Sequence, residues 1–407
     1  MPSCRSLDGF YKPNEQYFFA DLSLVSNHSN MDRMMNLSLR KLLGLRASNS
    51  RRALKRPAAR LLVESLEQRL ALSTLHVGSD PGEYPMIQDA VNAANAGDTV
   101  RVDPGTYQEQ VLISNAGHSR DNLRLIGSNQ ASIIQAPAAM TGVKAIVEVT
   151  GSQNVSIEDF TIQGPGGSIC GSLRYGVRVD GGGSASITDN HITQIHDSPF
   201  GGCQNGVGIL VGRNVEGQIG TAAISHNVID DYQKGGIVVD NAGSSATIDH
   251  NTIVGVGPTA LIGQNGIQIS RGASAVASHN NVSANIYSPQ TDSSTGFLLF
   301  NPGAVTLEHN KVSSNDVGID VEGATGTIIV QNDVSGSTYD GIFLLSTSGA
   351  RVIQNTTNNN GSGNPGDGGI SLTTSTNNTL EQNTSKKNTG DGNTPSIRHD
   401  FSGFHEF

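Results

Sequence analysis

The chain has 407 residues, 49 of them glycine, with 15% charged residues, 5% aromatics and no tryptophan. This excludes a coiled coil or helical array, and the glycines lack the three-residue period of collagen. The net charge of −10 divides into a basic head, with 12 Lys and Arg against 6 Asp and Glu in residues 1–73, and an acidic body with 14 against 30. A body of that sign argues against a nucleic-acid partner, and the absence of any run of about 18 apolar residues argues against a membrane span.

Residues 1–73 read as a disordered basic leader serving export. Residues 1–30 carry no hydrophobic period, and Met31, Met34 and Met35 cluster before the first basic stretch, so translation is expected to start at Met34 or Met35, leaving 1–33 untranslated. Ser50–Lys55 (Ser-Arg-Arg-Ala-Leu-Lys) resembles a twin-arginine signal, but Arg60, Glu64, Glu67 and Arg69 interrupt the apolar region that should follow. Glu64–Ser73 (Glu-Ser-Leu-Glu-Gln-Arg-Leu-Ala-Leu-Ser) resembles the LEPR-XLL segment near the N-terminus of large exported bacterial surface proteins, with Gln68 in place of its Pro. Either resemblance implies a protein of the periplasm, cell surface or extracellular space.

The ordered body is expected from residue 74. Tyr84–Asn95 places Ile87, Ala90, Val91 and Ala94 on one helical face. Gly97–Val102 then reads as a strand and Asp103–Tyr107 as a turn. Beyond it, Gly176, Gly206, Gly236, Gly266 and Gly296 recur every 30 residues, each before an alternating apolar strand, and the series continues at Gly318, Gly341 and Gly369. An Asn follows most of these glycines by 14 or 15 residues: Asn190, Asn251, Asn280, Asn310, Asn332, Asn355 and Asn383. Asn227 follows at 21, with Val215–Ala222 read as an inserted loop.

No single unit of this kind can bury its own face, so the units must stack. Stacking in parallel buries Val177, Val207, Ile237, Ile267, Phe297, Ile319, Ile342 and Ile370, and places each Asn on its neighbour about 4.8 Å away. Each recurring Gly is expected to serve an awkward turn before its strand.

This pattern resembles the right-handed parallel β-helix of the pectin-lyase-like superfamily, on units such as Ile224–Ile229 (Ile-Ser-His-Asn-Val-Ile) and on the helix, strand and Asp-Pro-Gly-Thr-Tyr order at its start. The resemblance implies an all-β, single-stranded right-handed parallel β-helix over residues 74–385 with a short N-terminal capping helix. Residues 386–407 would form a tail, or a cap through Phe401, Phe404 and Phe407. Cys170 and Cys203 fall in the insertion loops of consecutive rungs, either as a disulfide suited to an exported protein or as free thiols.

In that superfamily the active groove lies on the outer face of the strand after the insertion loop. The resemblance thus implies outward columns that include Arg178, Gly208, Asp320 and Phe343, and Asp180, Leu210, Asp240, Phe300 and Glu322. Asp180 and Asp240 would stand two rungs, about 9.6 Å, apart, at the edge of the roughly 6.5–9.5 Å of an inverting carboxylate pair, with Gly208 leaving room for a sugar between them. Arg178 and Lys234 would neutralise an acidic sugar or act as a lyase base. Asp230 and Asp231 resemble the Asp-Asp of polygalacturonases, whose Gly-His-Gly and Arg-Ile-Lys are missing here. The catalytic candidates are therefore Asp180, Asp240, Asp230, Asp231, Lys234 and Arg178. The substrate-binding candidates are Arg174, Tyr175, His196, Asp197 and Tyr232.

His226, His250, His279 and His309 each precede a ladder Asn and should point to solvent as a stacked row, while Asp249 and Glu308 should turn inward or into the turn, leaving no metal site. Gly366-Asp367-Gly368 and Gly390-Asp391-Gly392 read as turns; calcium would need tandem acidic ligands, and no cofactor is expected. The outward strip Leu298, Phe300, Phe343 and Leu345 suits a sugar, a loop or a partner. Two functions stand open: binding or processing of a polysaccharide or cell-envelope glycan, as a lyase or glycoside hydrolase, and a non-catalytic surface scaffold or adhesin.

Overall fold

Short runs of alternating Val, Ile and small polar residues, each ended by a turn, cannot pair within one rung, so every strand takes its partners from the rungs above and below. A computed structural model describes residues 72–361 and 367–389, together with the backbone of 397–400. The leader up to residue 71, Gly366, the Gly390-Asp391-Gly392 turn and Phe401, Phe404 and Phe407 lie outside the described residues. Three parallel sheets of twelve, eleven and eleven strands run the length of a right-handed solenoid. The first sheet contains Ser245–Asp249, the second Thr252–Thr259 and the third Gly235–Asp240. Ile397–Asp400 pairs in parallel with Ile370–Thr373 as a further strand of the third sheet.

Inward columns fill the core. In the third sheet Val147, Val177, Ile209, Ile237, Ile267, Phe297, Ile319, Ile342 and Ile370 lie in register. All are fully buried, each contributing about 1.5–3 kcal/mol against exposure. One rung departs from the 30-residue reading. Val207 pairs with Tyr175 and Gly235, so Ile209 takes the inward place and Gly208, two residues on, belongs to the glycine column. Val207 instead packs outside the main core with Ala145, Tyr175, Leu210 and Val238.

The glycine column has a different cause from the expected turn. A Cβ on Gly176, Gly208, Gly236, Gly266, Gly296, Gly318 or Gly341 would sit 2.5–2.7 Å from the carbonyl oxygen of the next glycine in the column. Close backbone approach between rungs excludes any side chain there.

The Asn ladder satisfies the turns between the first and second sheets. Asn251 Nδ2 donates to Ile224 O at 2.9 Å and to Asn280 Oδ1 at 3.0 Å, while Asn251 Oδ1 accepts the backbone N–H of Asn227 at 3.0 Å. The pattern runs from Asn190 to Asn383. A second ladder, five residues after the first, links Asn285 to Asn315 and Ser337 through Asn360 to Asn388.

At the N-terminal end the helix Ile87–Ala93 buries Ile87, Ala90, Val91 and the adjoining Ala94, the face its spacing predicts. Glu109 accepts the backbone N–H groups of Ile87 and Gln88, both at 2.8 Å, which satisfies two of the helix's orphan donors. Among the described residues no helix is long and apolar enough to cross a membrane.

Candidate functional site

The third sheet turns three outward columns to its surface. One carries Tyr175, Asn265 and Thr295; the next carries Glu148, Arg178, Leu210, Val238, Gln268, Leu298, Asp320, Phe343 and Ser371; the last carries Asp180, Asp240, Ser270, Phe300, Glu322 and Leu345. Gly212, after Val211, stands between Asp180 and Asp240.

The first rungs hold a network of buried ion pairs. Arg178, 1% exposed, donates from Nε to Asp180 Oδ2 at 2.6 Å and from a terminal nitrogen to Glu216. Glu216 lies in the short 3-10 turn Asn214–Glu216, closed by the pairing of Arg213 with Gln218. Asp240 accepts the backbone N–H of Asn214 at 2.8 Å, Ser270 Oγ at 3.0 Å and Arg271 Nε at 2.8 Å. The loop thus occupies the space over Gly212 that the sequence reading assigned to a sugar beside Gly208. Burial pushes the Asp240 carboxyl up, but Arg271 and Asn214 outweigh it and hold it below the ordinary range. The Arg178 hydrogen bond lowers Glu216. Burial, then the nearby Asp180, raises Glu148.

Most of the other candidates lie apart from this network. Tyr232 is a correction: it points into the core, fully buried, and its hydroxyl donates to Asn285 Oδ1 at 2.6 Å, so it cannot touch a ligand on the outer face. Tyr175 is buried beneath the Arg178 guanidinium, 5.3 Å from its ring centre. Asp197 accepts the backbone N–H groups of Gly171 and Ser172, both at 2.9 Å, and the Ser172 hydroxyl at 2.7 Å. It thereby anchors the loop whose Cys170 is joined to Cys203 in a disulfide, with Cα atoms 5.7 Å apart. Asp230, in the second sheet, lies 3.0 Å from His191 Nε2, and this contact lowers the acid and raises the imidazole. Asp231 approaches His196 Nε2 at 3.5 Å. Lys234 Nζ donates to Gly263 O at 2.8 Å, and burial lowers its pKa. Arg174 is partly buried, its Nε without a hydrogen-bond partner.

A second carboxylate group lies further along the same face. Asp320 is outward, 7% exposed, between Leu298 and Phe343 of the adjacent rungs, and its Oδ1 has no hydrogen-bond partner. Burial, then the charges of Glu322 and Asp340, raise its pKa to about 8. Asp340 accepts Ser371 Oγ at 2.5 Å and the backbone N–H of Gly368 at 2.7 Å. Burial nonetheless raises Asp340 to about 7, and burial also raises Glu322. Within the third sheet, no Lys or Arg occupies a strand position from Asn265 to Thr373. Asp320 and Glu322 stand in the outward columns that the spacing predicts, while Asp340 falls outside those two columns. Its signal is its place directly before Gly341, where it shares a column with Val317 and Thr295.

The histidine row is present as the spacing predicts. His226, His250, His279 and His309 stack with ring centres 4.7–5.3 Å apart and planes within 11°. Asp249 departs from its expected inward turn: it faces out and meets His250 and His279.

The family model for the right-handed β-helix region matches residues 145–334 and, overlapping, 265–394, more than half of the chain. No curated protein matches the sequence. Among solved structures, the fold is similar to DFA-IIIase from Arthrobacter chlorophenolicus A6 in complex with GF2, with a TM-score of 0.53 and 15% identity over 76% of this chain and 86% of that one. It is also similar to the A-module of the Azotobacter vinelandii mannuronan C-5 epimerase AlgE6, with a TM-score of 0.48 and 14% identity over 73% and 81% of the two chains. For the alginate lyase of Paenibacillus sp. str. FPU-7 the values are 0.39 and 11%, over 77% and 99%. At these identities the likeness is one of fold, and with the family match it shows that this chain belongs to the right-handed β-helix family.

Proposed function

We propose that this is an exported glycan-processing protein that hydrolyses a neutral glycan on the outer face of the third sheet, with Asp320 as general acid. The observation that carries the reading is Asp320 itself. An outward carboxyl kept protonated to about pH 8, with one oxygen unpartnered, is poised to donate a proton at neutral pH. Glu322 follows two residues along the same strand and face, roughly 6.6 Å away by strand rise, within the range of an inverting pair. In that chemistry Asp320 protonates the departing glycosidic oxygen as the anomeric C–O bond breaks. Glu322 takes a proton from the water whose oxygen forms the new bond. Asp340 contributes by charge, helping to hold the proton on Asp320. Phe300 and Phe343 offer apolar faces for sugar rings.

A neutral rather than uronic substrate follows from charge. Among the described residues, three cations that could meet a uronate are engaged upstream, Arg178 with Asp180 and Glu216, Arg271 with Asp240 and Lys234 with Gly263. The Cys170–Cys203 disulfide supports an oxidising compartment outside the cytosol.

The test is release of reducing ends from a panel of neutral and uronate polysaccharides, with unsaturated-uronate absorbance followed in parallel. The reading expects release from a neutral polymer, lost in Asp320→Asn and Glu322→Gln. Release unaffected by Asp320→Asn, or unsaturated products from a uronate polymer, would overturn it. Failure to release or retain any glycan would leave the solenoid as a scaffold that presents its loops.

A further inference from the structure

On the turn between the first and second sheets, far in sequence from Asp320, one surface cluster is unused by the reading above. His250 and His279 occupy equivalent places on successive rungs, each directly before a ladder Asn. Both adopt left-handed backbone, with φ of 53° and 54°, a region that His tolerates better than most residues. The buried Asn251 and Asn280 fix these turns rigidly beneath the rings. The imidazoles themselves are about half exposed, at 50% and 47%.

Asp249 lies between them. Its Oδ2 is 2.7 Å from His250 Nδ1, and its Oδ1 is 3.3 Å from His279 Nδ1. One donor atom from each of the three residues falls within 4.8 Å of the other two. At a tetrahedral centre with ligand distances of about 2.05 Å, donor atoms stand about 3.3 Å apart; His279 Nδ1 already has that spacing from Oδ1, and His250 Nδ1 lies nearer, at 2.7 Å, to the other oxygen. Ser278 Oγ donates to Asp249 Oδ1 at 2.7 Å, the outer hydrogen bond that commonly orients a ligating carboxylate. Among the described residues the other grouping of this kind, Cys170, Asp197 and Cys203, has its sulfurs joined to each other.

We propose that Asp249, His250 and His279 form a three-ligand site for a divalent transition-metal ion of the zinc class, with a fourth position open to solvent. Two imidazoles and a carboxylate are the donor set such an ion prefers. The ion takes the place of the imidazole protons now shared with Asp249. Because the rings stack nearly parallel, each must swivel toward the carboxylate, and their exposure leaves them room to do so. His226 and His309, stacked on the outer sides, make no contact with Asp249 among the hydrogen bonds and ion pairs and stand outside the site. Ligands from two rungs would tie those rungs together at this turn.

The experiment is calorimetric titration of the full chain with zinc chloride in a non-chelating buffer near neutral pH. Circular dichroism on every variant establishes that it is folded. One equivalent is expected to bind, with affinity lowered at least tenfold in His250→Ala, in His279→Ala and in Asp249→Asn, and changed less than threefold in His309→Ala. Saturating zinc should also raise the melting temperature of the parent chain but not of Asp249→Asn. Absence of binding overturns the proposal. So does binding that survives His250→Ala and His279→Ala, or that His309→Ala weakens as much as they do, since the row and not the triad would then be the ligand.

Discussion

Asp180 and Asp240 share one register position on either side of Gly212, and the loop through Asn214 and Glu216 sits between them, tied to Asp180 through Arg178 and to Asp240 directly. Their role is to hold that loop against the sheet. A buried charge left without its partner is costly. Arg178→Ala, which strands Asp180 at 4% exposure, is therefore expected to destabilise the protein by about 3–5 kcal/mol. Urea unfolding measures the loss. Turnover of a glycan by the folded variant should change little, and a large fall in turnover with unchanged stability would return these residues to the catalytic role the sequence suggested.

Tyr232 and Asn285 join the core to the second Asn ladder. Tyr232→Phe keeps the ring and removes one buried hydrogen bond, leaving Asn285 Oδ1 with a lost donor. The expected cost is about 1–3 kcal/mol, read as a lower melting temperature. Asn280→Ala is expected to cost more, since Asn280 donates to Ile248 O and Asn310 Oδ1 and accepts from Asn251. Equal effects for the two variants would mean that the ladder contributes less than its hydrogen bonds suggest.

The solenoid was legible because stacking repeats one chemical solution in every rung. Gly at the closest backbone approach, Val or Ile inward and Asn in the turn recur wherever the backbone geometry recurs. Register was less legible where the sequence offered two solutions. Gly206-Val207-Gly208 contains a glycine at the 30-residue step and another two residues later, and only the carbonyl contact of Gly208 with Gly236 decides between them. A shift of two keeps the inward and outward alternation, so hydrophobic pattern alone cannot detect it. The surroundings of the candidate residues were hard to read for a related reason. Charged residues such as Arg178 and Asp180 look free in a sequence, whereas a loop 38 residues later supplies Glu216 to cover them. Tyr232 was misplaced because a residue beside two aspartates read as surface, and only the turn geometry sends it inward. Asp320 has no signal in its own letter; its raised pKa comes from Leu298, Phe343, Glu322 and Asp340, which three different rungs bring to it.

The Cys170–Cys203 disulfide closes a loop across 33 residues. Chain entropy gives such a link roughly 3–4 kcal/mol. From Met34 onward the sequence holds two cysteines, Cys170 and Cys203, so protein translated from there should titrate with no thiol when denatured but unreduced, and with two after reduction. Two thiols without reductant would refute the bond. Cys203→Ser should also open the segment around Gly171 to proteolysis before the rest of the solenoid, because only hydrogen bonds, chiefly to Asp197 and Lys144, then anchor it.

Asp320 ties stability and activity to the same proton. In the unfolded chain an Asp titrates near 4, and in the native protein this one titrates at about 8. Between those values the native state keeps a proton that the unfolded chain has lost, so stability is fully present below about pH 4 and falls as pH rises toward 8. The fall should amount to a few kcal/mol on this account, with Asp340, at about 7, adding to it in the same direction. Asp320→Asn removes the largest share of that slope: the variant should match or exceed the parent near about pH 8 and lose its advantage near about pH 4. If Asp320 is the acid, kcat/KM should also fall above about pH 8, and this limb should vanish together with most of the rate, about 10²–10⁴-fold, in Asp320→Asn. A variant that flattens the stability curve while leaving the rate intact would make Asp320 a buried structural acid. A variant that abolishes the rate while leaving the stability slope unchanged would place the titration on Asp340 instead.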